Sequence, residues 1–323
     1  NCRTAGGDDP IDLSSRAFWS TTAAQREQSF AQLRKDRPVS WHPPVEDSLM
    51  PDPGDPGYWA VTRHADIVEV SRNSEVFLSG KGVLFENVPE ELLEASQSFL
   101  AMDPPRHTLI RKVVHSAFTP RQVRRIEDSI KANAADIVSE LHAAGSGVDF
   151  VSHCAKELPV RTLADMVGIP ASERNQVADA ADAMVSWGDP EYLDGRNPLE
   201  VLVTSQMYLH QVALALAAER RDNPGDDLFS ALVQAEVEGA RLTDQEIAAF
   251  FVLLAVAGND TTRQTTSHAM KALTDFPEQR AWLMAAFDER IGVAVEEFVR
   301  WASPVMTFRR TAATDYELGG LRI

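Results

Sequence analysis

The clearest pattern of apolar and polar positions in the chain lies in residues 242–277. Thr243 followed three positions later by Glu246 is a capping box, with Leu242 and Ile247 placed to staple across it, so a helix is predicted to begin there. No Gly or Pro interrupts the stretch before Gly258, and Pro277 cannot continue it, which implies one element of roughly 45–50 Å. Residues 247–256 are apolar on every side, the pattern of a helix buried at the centre of a protein. Asn259, Asp260, Thr261 and Thr262 follow directly on Ala257 and Gly258. An acid and hydroxyls therefore stand midway along a dry rod, and such groups need partners. Ala257, Gly258 and Thr261 share a face at spacings of three and four, leaving a shallow space beside one hydroxyl. A packing notch, with Thr261 bonded back to the Ala257 carbonyl, accounts for these residues as well as a binding surface does.

The remaining periodicity is mostly helical. An amphipathic helix is predicted from Thr22 to Lys35, ending before Arg37-Pro38, and 63–73 returns to helical spacing with His64 as a surface residue. Between them, 39–42 and 58–62 have strand composition around a Pro/Gly/Asp loop suited to a hairpin. Residues 81–98 mix Gly, Pro and apolar positions and read as a long loop carrying a short helix. Its Val83, Leu84 and Phe85 either form a lid over an apolar pocket or fold onto the core. At 102–112, Asp103 can cap and Pro104-Pro105 suit a first turn. His107 and Arg111 then lie one turn apart on one face, either gripping an anion or meeting solvent. Residues 126–221 read as several amphipathic helices punctuated at 145–147, 168–170 and 194–198, with 187–198 as a loop. Within 293–301, Glu297 and Arg300 are placed for an ion pair, and 316–321 reads as a turn between strands.

Composition narrows the function classes. A formal net charge of −17 argues against a nucleic-acid surface and against an anionic membrane. Against that background Arg121, Arg124, Arg125 and Lys131 form a local cationic stretch, which suggests a docking face or a merely solubilising helix. Cys2 and Cys154 make no disulfide framework, Cys154 reads as a small core residue, and no set of side chains has metal-ligand spacing. The longest apolar run, 247–258, is too short to cross a bilayer. A cytoplasmic protein without a membrane span is expected, although the chain opens at Asn1 rather than Met and a lost leader stays open.

Three motifs in order carry a resemblance. A-G-N-D-T-T at 257–262, D-P-P-R-H-x-x-x-R at 103–111, and E-F-V-R at 297–300 followed by W-A-S-P and F-R-R-T-A resemble the cytochrome P-450 family. The resemblance implies a mainly α fold, with 1–323 as a single P-450 domain: a small β-rich region from about 39–62 plus 305–323, and a helical region over 63–304. It implies haem b lying against Ala257 and Gly258, its carboxylates held by His107, Arg111 and Arg310, with Glu297 and Arg300 as a structural pair. Thr261 becomes the proton relay and Asp260 the acid linking it to solvent. Val83, Leu84, Phe85, Leu253, Leu254, Val305 and Met306 line a pocket for a hydrophobic small molecule. A ferredoxin-type partner docks near Arg111, Arg121, Arg124 and Arg125. The implied activity is oxygen-dependent hydroxylation, most similar to actinobacterial enzymes acting on steroid or sterol side chains, with terpenoids and fatty acids open. The family's iron-binding cysteine loop is not found before Ile323, and neither Cys2 nor Cys154 sits in such a loop, so an incomplete sequence of a normal enzyme is expected. A peroxide-driven relative and a non-catalytic helical binding protein are the alternatives.

Overall fold

Thr243 caps the helix Asp244–Asp275 as the sequence predicts. Its hydroxyl accepts from the Glu246 amide at 3.2 Å while the Glu246 carboxylate accepts from the Thr243 amide at 2.8 Å. The 32 residues span about 48 Å at the rise of an α-helix. The helix stops because Phe276 precedes a proline and leaves helical geometry, and Pro277 opens the next helix, Pro277–Ala285.

The computed structural model describes residues 11–323 apart from 89–92, 95 and 97. The chain divides into two units, Thr108–Met306 and Asn1–His107 with Thr307–Ile323. In the first, the long helix packs against Glu157–Val167, Arg174–Ser186, Pro198–Asp222 and Phe287–Ala302. Ile247, Ala248, Phe250, Phe251 and Ala255 are buried, and the rings of Phe251 and Phe229 meet edge to face at 5.9 Å. The first turns of the apolar run are buried as expected, whereas Leu253, Leu254 and Val256 are only half-buried. Pro120–Ala144 begins on a Thr119 cap with proline at its first position.

The second unit carries the helices Arg16–Trp19, Ala23–Asp36 and His64–Arg72. Strands Val39–His42 and Tyr58–Val61 pair antiparallel, with Trp41 opposite Trp59. Phe77–Leu78 pairs with Thr311–Ala312, and Glu317–Leu318 with Leu321–Arg322. Gly319 and Gly320 form the two-residue turn of that last hairpin at φ +58° and +79°, where side chains are strained. The protein is mainly α with a small β content.

Three local expectations are corrected. Asp103 does not cap the helix that follows it: its carboxylate accepts from the amides of Ser79 and Gly80, each at 2.8 Å. A Cβ at Gly80 would fall 2.6 Å from that carboxylate, so the glycine permits the approach. Pro104-Pro105, joined by a cis bond, lies before the helix Arg106–Ala117 rather than in its first turn. The stretch 187–198 contains the short helix Pro190–Leu193. Among the described residues one helix, Pro198–Asp222, is long and apolar enough by length and composition to cross a membrane, while 247–258 is too short, as expected. The short helix expected in 81–98 falls largely on residues outside those described.

Thr243→Ala removes the hydroxyl of the capping box and is expected to lower stability by about 0.5–2 kcal/mol. Urea unfolding followed by far-ultraviolet circular dichroism measures this, and an unchanged midpoint contradicts the role given to the cap.

Candidate functional site

The polar turns of the long helix are arranged around one buried acid on a neighbouring helix. Asp182, on Arg174–Ser186, has a side chain 8% exposed. It accepts from Asn259 Nδ2 at 3.0 Å, from Arg263 Nη1 at 2.9 Å and from Lys156 Nζ at 3.2 Å. Arg263 in turn holds the Asp260 carboxylate through its other nitrogen, one turn away on its own helix. Burial disfavours the Arg263 guanidinium, but the charge of Asp182 and the bonds to Asp260 and Asp182 outweigh this and raise its pKa. Lys156 follows the same pattern, with Asp179 as a further acid. A buried carboxylate with three donors is thus paired on every side that the helices present.

Thr261 donates to the Ala257 carbonyl at 2.8 Å, the back-bond that a helix-packing reading requires, and makes no other side-chain bond among the described residues. Its lone pairs stay free to accept. Beside it Ala257 and Gly258 are exposed on an otherwise buried stretch, and a Cβ added at Gly258 would meet nothing within 4 Å. Leu253 and Leu254 are half-buried one turn earlier.

The other predicted residues are placed as follows. His107 and Arg111 lie one turn apart on Arg106–Ala117; His107 is half-buried with its ring 6.1 Å from Phe99, and Arg111 is exposed without an ion-pair partner among the described residues. Arg309 is committed to the loop before it, donating to Lys81 O at 2.9 Å and to Asn87 Oδ1. Among the described residues Arg310 donates only to the Arg309 carbonyl, at 2.7 Å, and it lies 5.8 Å over the Phe308 ring. Glu297 and Arg300 form a two-pronged pair, both bonds 2.6 Å, which lowers the carboxyl's pKa and raises the guanidinium's. Val83 is buried, with its carbonyl accepting from Arg309 N at 2.9 Å, and Phe85 packs on Trp19 and Tyr58. Leu84 is exposed, as are Val305 and Met306. Arg121 and Arg125 both reach Asp226, at 2.7 and 3.2 Å, whereas Arg124 is exposed and unpaired among the described residues.

No protein-family model matches the chain. Curated relatives do. The chain is 38% identical over 315 residues to a methyl-branched lipid omega-hydroxylase of Mycobacterium tuberculosis, covering 97% of the chain and 72% of the relative. It is also 38% identical over 303 residues to a steroid C26-monooxygenase of Mycolicibacterium smegmatis, covering 92% and 68%. Among solved structures, Mycobacterium marinum cytochrome P450 CYP268A2 in complex with pseudoionone matches at a TM-score of 0.93 and 75% identity, over 99% of this chain and 77% of that one. The chain belongs to the cytochrome P-450 family. It is a P-450 monooxygenase, with the mainly helical fold its motifs imply.

The residues present fit the haem that a P-450 carries. Arg111 in one unit and Arg310 in the other are each cations without an acid partner among the described residues, and His107 is a further donor; each by its chemistry suits a haem carboxylate. The open surface at Ala257 and Gly258 admits a flat group where any larger side chain would stand in its way. Cys154 sits half-buried in the turn Val151–Ala155, where burial pushes its thiol pKa up.

Asp182, Lys156 and Arg263 had no place in the sequence reading. Asp182 was detectable in principle, because it lies one turn after the buried Ala178 on the same helix face, and an acid on such a face demands partners. Which partners answer it depends on helix packing. Asp182→Ala leaves Arg263, 15% exposed, facing a lost charge, and is expected to cost about 3–5 kcal/mol. Adding Arg263→Met should recover part of this in a double-mutant cycle. Additive losses in chemical unfolding contradict the coupling.

Proposed function

We propose that this P-450 hydroxylates a branched, apolar lipid chain, either a methyl-branched lipid or a steroid side chain, using dioxygen and electrons from a ferredoxin-type protein. The observation that carries the reading is an acid, Asp260, and a hydroxyl, Thr261, adjacent in the turn beside the open Ala257–Gly258 surface, directly after the apolar run of the helix. The substrate class is supported by the relatives named for methyl-branched lipids and for steroids, and by the pseudoionone held by the structure 75% identical to this chain.

Haem b, when bound, supplies the iron at which dioxygen is reduced and the substrate oxygenated. His107, Arg111 and Arg310 would hold its carboxylates by charge-assisted hydrogen bonds. Ala257 and Gly258 leave the space over its face. Leu253 and Leu254 present apolar surface one turn earlier, which favours a hydrophobic substrate and excludes water. Two protons must still reach an apolar pocket. Thr261 can pass them, since its hydroxyl donates to the Ala257 carbonyl and keeps its lone pairs available. Asp260, 23% exposed, is the acid through which solvent protons enter, and Arg263 fixes its carboxylate while it waits. Of the apolar residues predicted to line the pocket, Leu84, Val305 and Met306 carry exposed side chains suited to substrate contact. An acidic redox partner would dock near Arg111, where Arg124 is a cation unpaired among the described residues and Arg121 and Arg125 are shared with Asp226.

Removing one cation from the haem-carboxylate set, by Arg111→Ala or Arg310→Ala, is expected to weaken haem retention by roughly 10–100-fold, in line with a charged hydrogen bond. Soret absorbance during haem titration reads it, and unchanged retention in both variants removes these residues from the haem site. In the holoenzyme Thr261→Ala should divert electrons to peroxide while Thr261→Ser keeps product yield. Unaltered product per electron consumed in Thr261→Ala would favour a peroxide-driven enzyme instead.

A further inference from the structure

A cavity of about 370 Å³ lies away from the proposed haem surface, among the helices Pro120–Ala144, Glu157–Val167 and Leu228–Gln234. Its size falls at the lower end of small-molecule pockets, roughly 300–1,000 Å³. Two carboxylates line it, and both are already committed. Asp165 accepts from Ser129 Oγ at 2.6 Å, Asn133 Nδ2 at 2.8 Å and Arg174 Nη2 at 3.1 Å. Asp227 accepts from the Ser230 amide at 2.7 Å and from Arg220 Nε at 2.9 Å.

The uncommitted polar groups are of the opposite kind. Arg174 Nε–H is buried without a partner. Gln122 is 8% exposed and its side-chain amide has no partner among the described residues. The Thr162 hydroxyl on the same wall is likewise unengaged among them. Arg125 stands at the rim with one arm on Asp226 and half its side chain in solvent. Between these donors the wall is apolar, formed by Ile126, Ile169 and Leu228.

Buried donors left unpaired cost free energy, and an apolar wall gains nothing from water. We propose that this cavity is an accessory binding site for a short-chain monocarboxylate. Its carboxylate accepts from the Gln122 amide and from Arg174 Nη1, which is unengaged among the described residues, and its chain lies along Ile126, Ile169 and Leu228. The acids cannot serve a cationic ligand, because their oxygens are already occupied by Arg174, Arg220 and their neighbours. A cation would also meet Arg125 at the rim.

Octanoate labelled with fluorine at its far end is the probe, observed by fluorine NMR on the holoenzyme. Saturable binding that leaves the Soret band unmoved separates this site from the substrate site at the haem. Its affinity should fall at least tenfold in Gln122→Leu, which keeps every ion pair around Asp165 and Asp227, and in Ile169→Trp, which fills the cavity. Octylammonium should not compete. Affinity unchanged in Gln122→Leu, competition by octylammonium as strong as by unlabelled octanoate, or a crystal soaked in octanoate with only waters among Gln122, Thr162 and Arg174 would each overturn the proposal.

Discussion

A helix that runs through the interior for about 48 Å must be apolar to be buried there, and must break that rule somewhere to do chemistry. The dry run ends at Val256, and the turn from Asn259 to Arg263 that follows is tolerated because one buried carboxylate, Asp182, takes donors from both ends of it. This contact ties the long helix to Arg174–Ser186 and orients Asp260 through Arg263 in the same stroke. Fold and chemistry therefore share a single set of ionic contacts. Neutralising one member strands a charge in the interior, so the network resists piecemeal change.

The placement of polar groups on the two sides of that helix is complementary. On one side Asn259 and Arg263 face protein and are consumed by pairing. On the other, Ala257 and Gly258 offer no side chain beyond a methyl, and Thr261 turns its proton inward to the backbone. The helix thereby keeps a smooth, weakly polar surface where a planar group can lie, without leaving the hydroxyl's hydrogen unsatisfied when nothing else is near.

Much of this was legible in the residues. The capping box at Thr243, the stop at Pro277, the hairpin strands at Val39–His42 and Tyr58–Val61, and the Gly-Gly turn at 319–320 all follow from local rules, because each depends on neighbours a few positions away. The central burial was legible too, since the apolar run leaves no polar face. Harder were contacts between segments distant in sequence. Asp103 looked like a cap for its own helix, and only the arrival of Ser79 and Gly80 shows where its carboxylate goes. The same holds for Asp182 and Lys156, whose partners lie on other helices. For the site, the residue types at 257–261 announced polar chemistry after an apolar run, whereas the commitment of Arg309 to Lys81 and Asn87 joins segments far apart in sequence and became visible only in the fold.

The clasp of Asp103 on the Ser79 and Gly80 amides has a consequence for how this protein could diversify. It closes the neck of the segment that includes Leu84, so the ends of that segment are fixed independently of what lies between them. Lengthening a loop whose ends are already fastened costs only about 0.6 kcal/mol per doubling. Exposed positions between the fastenings, Leu84 among them, can be exchanged while the helix beginning at Arg106 keeps its start, which makes this neck a natural point for grafting a different selectivity onto an unchanged framework.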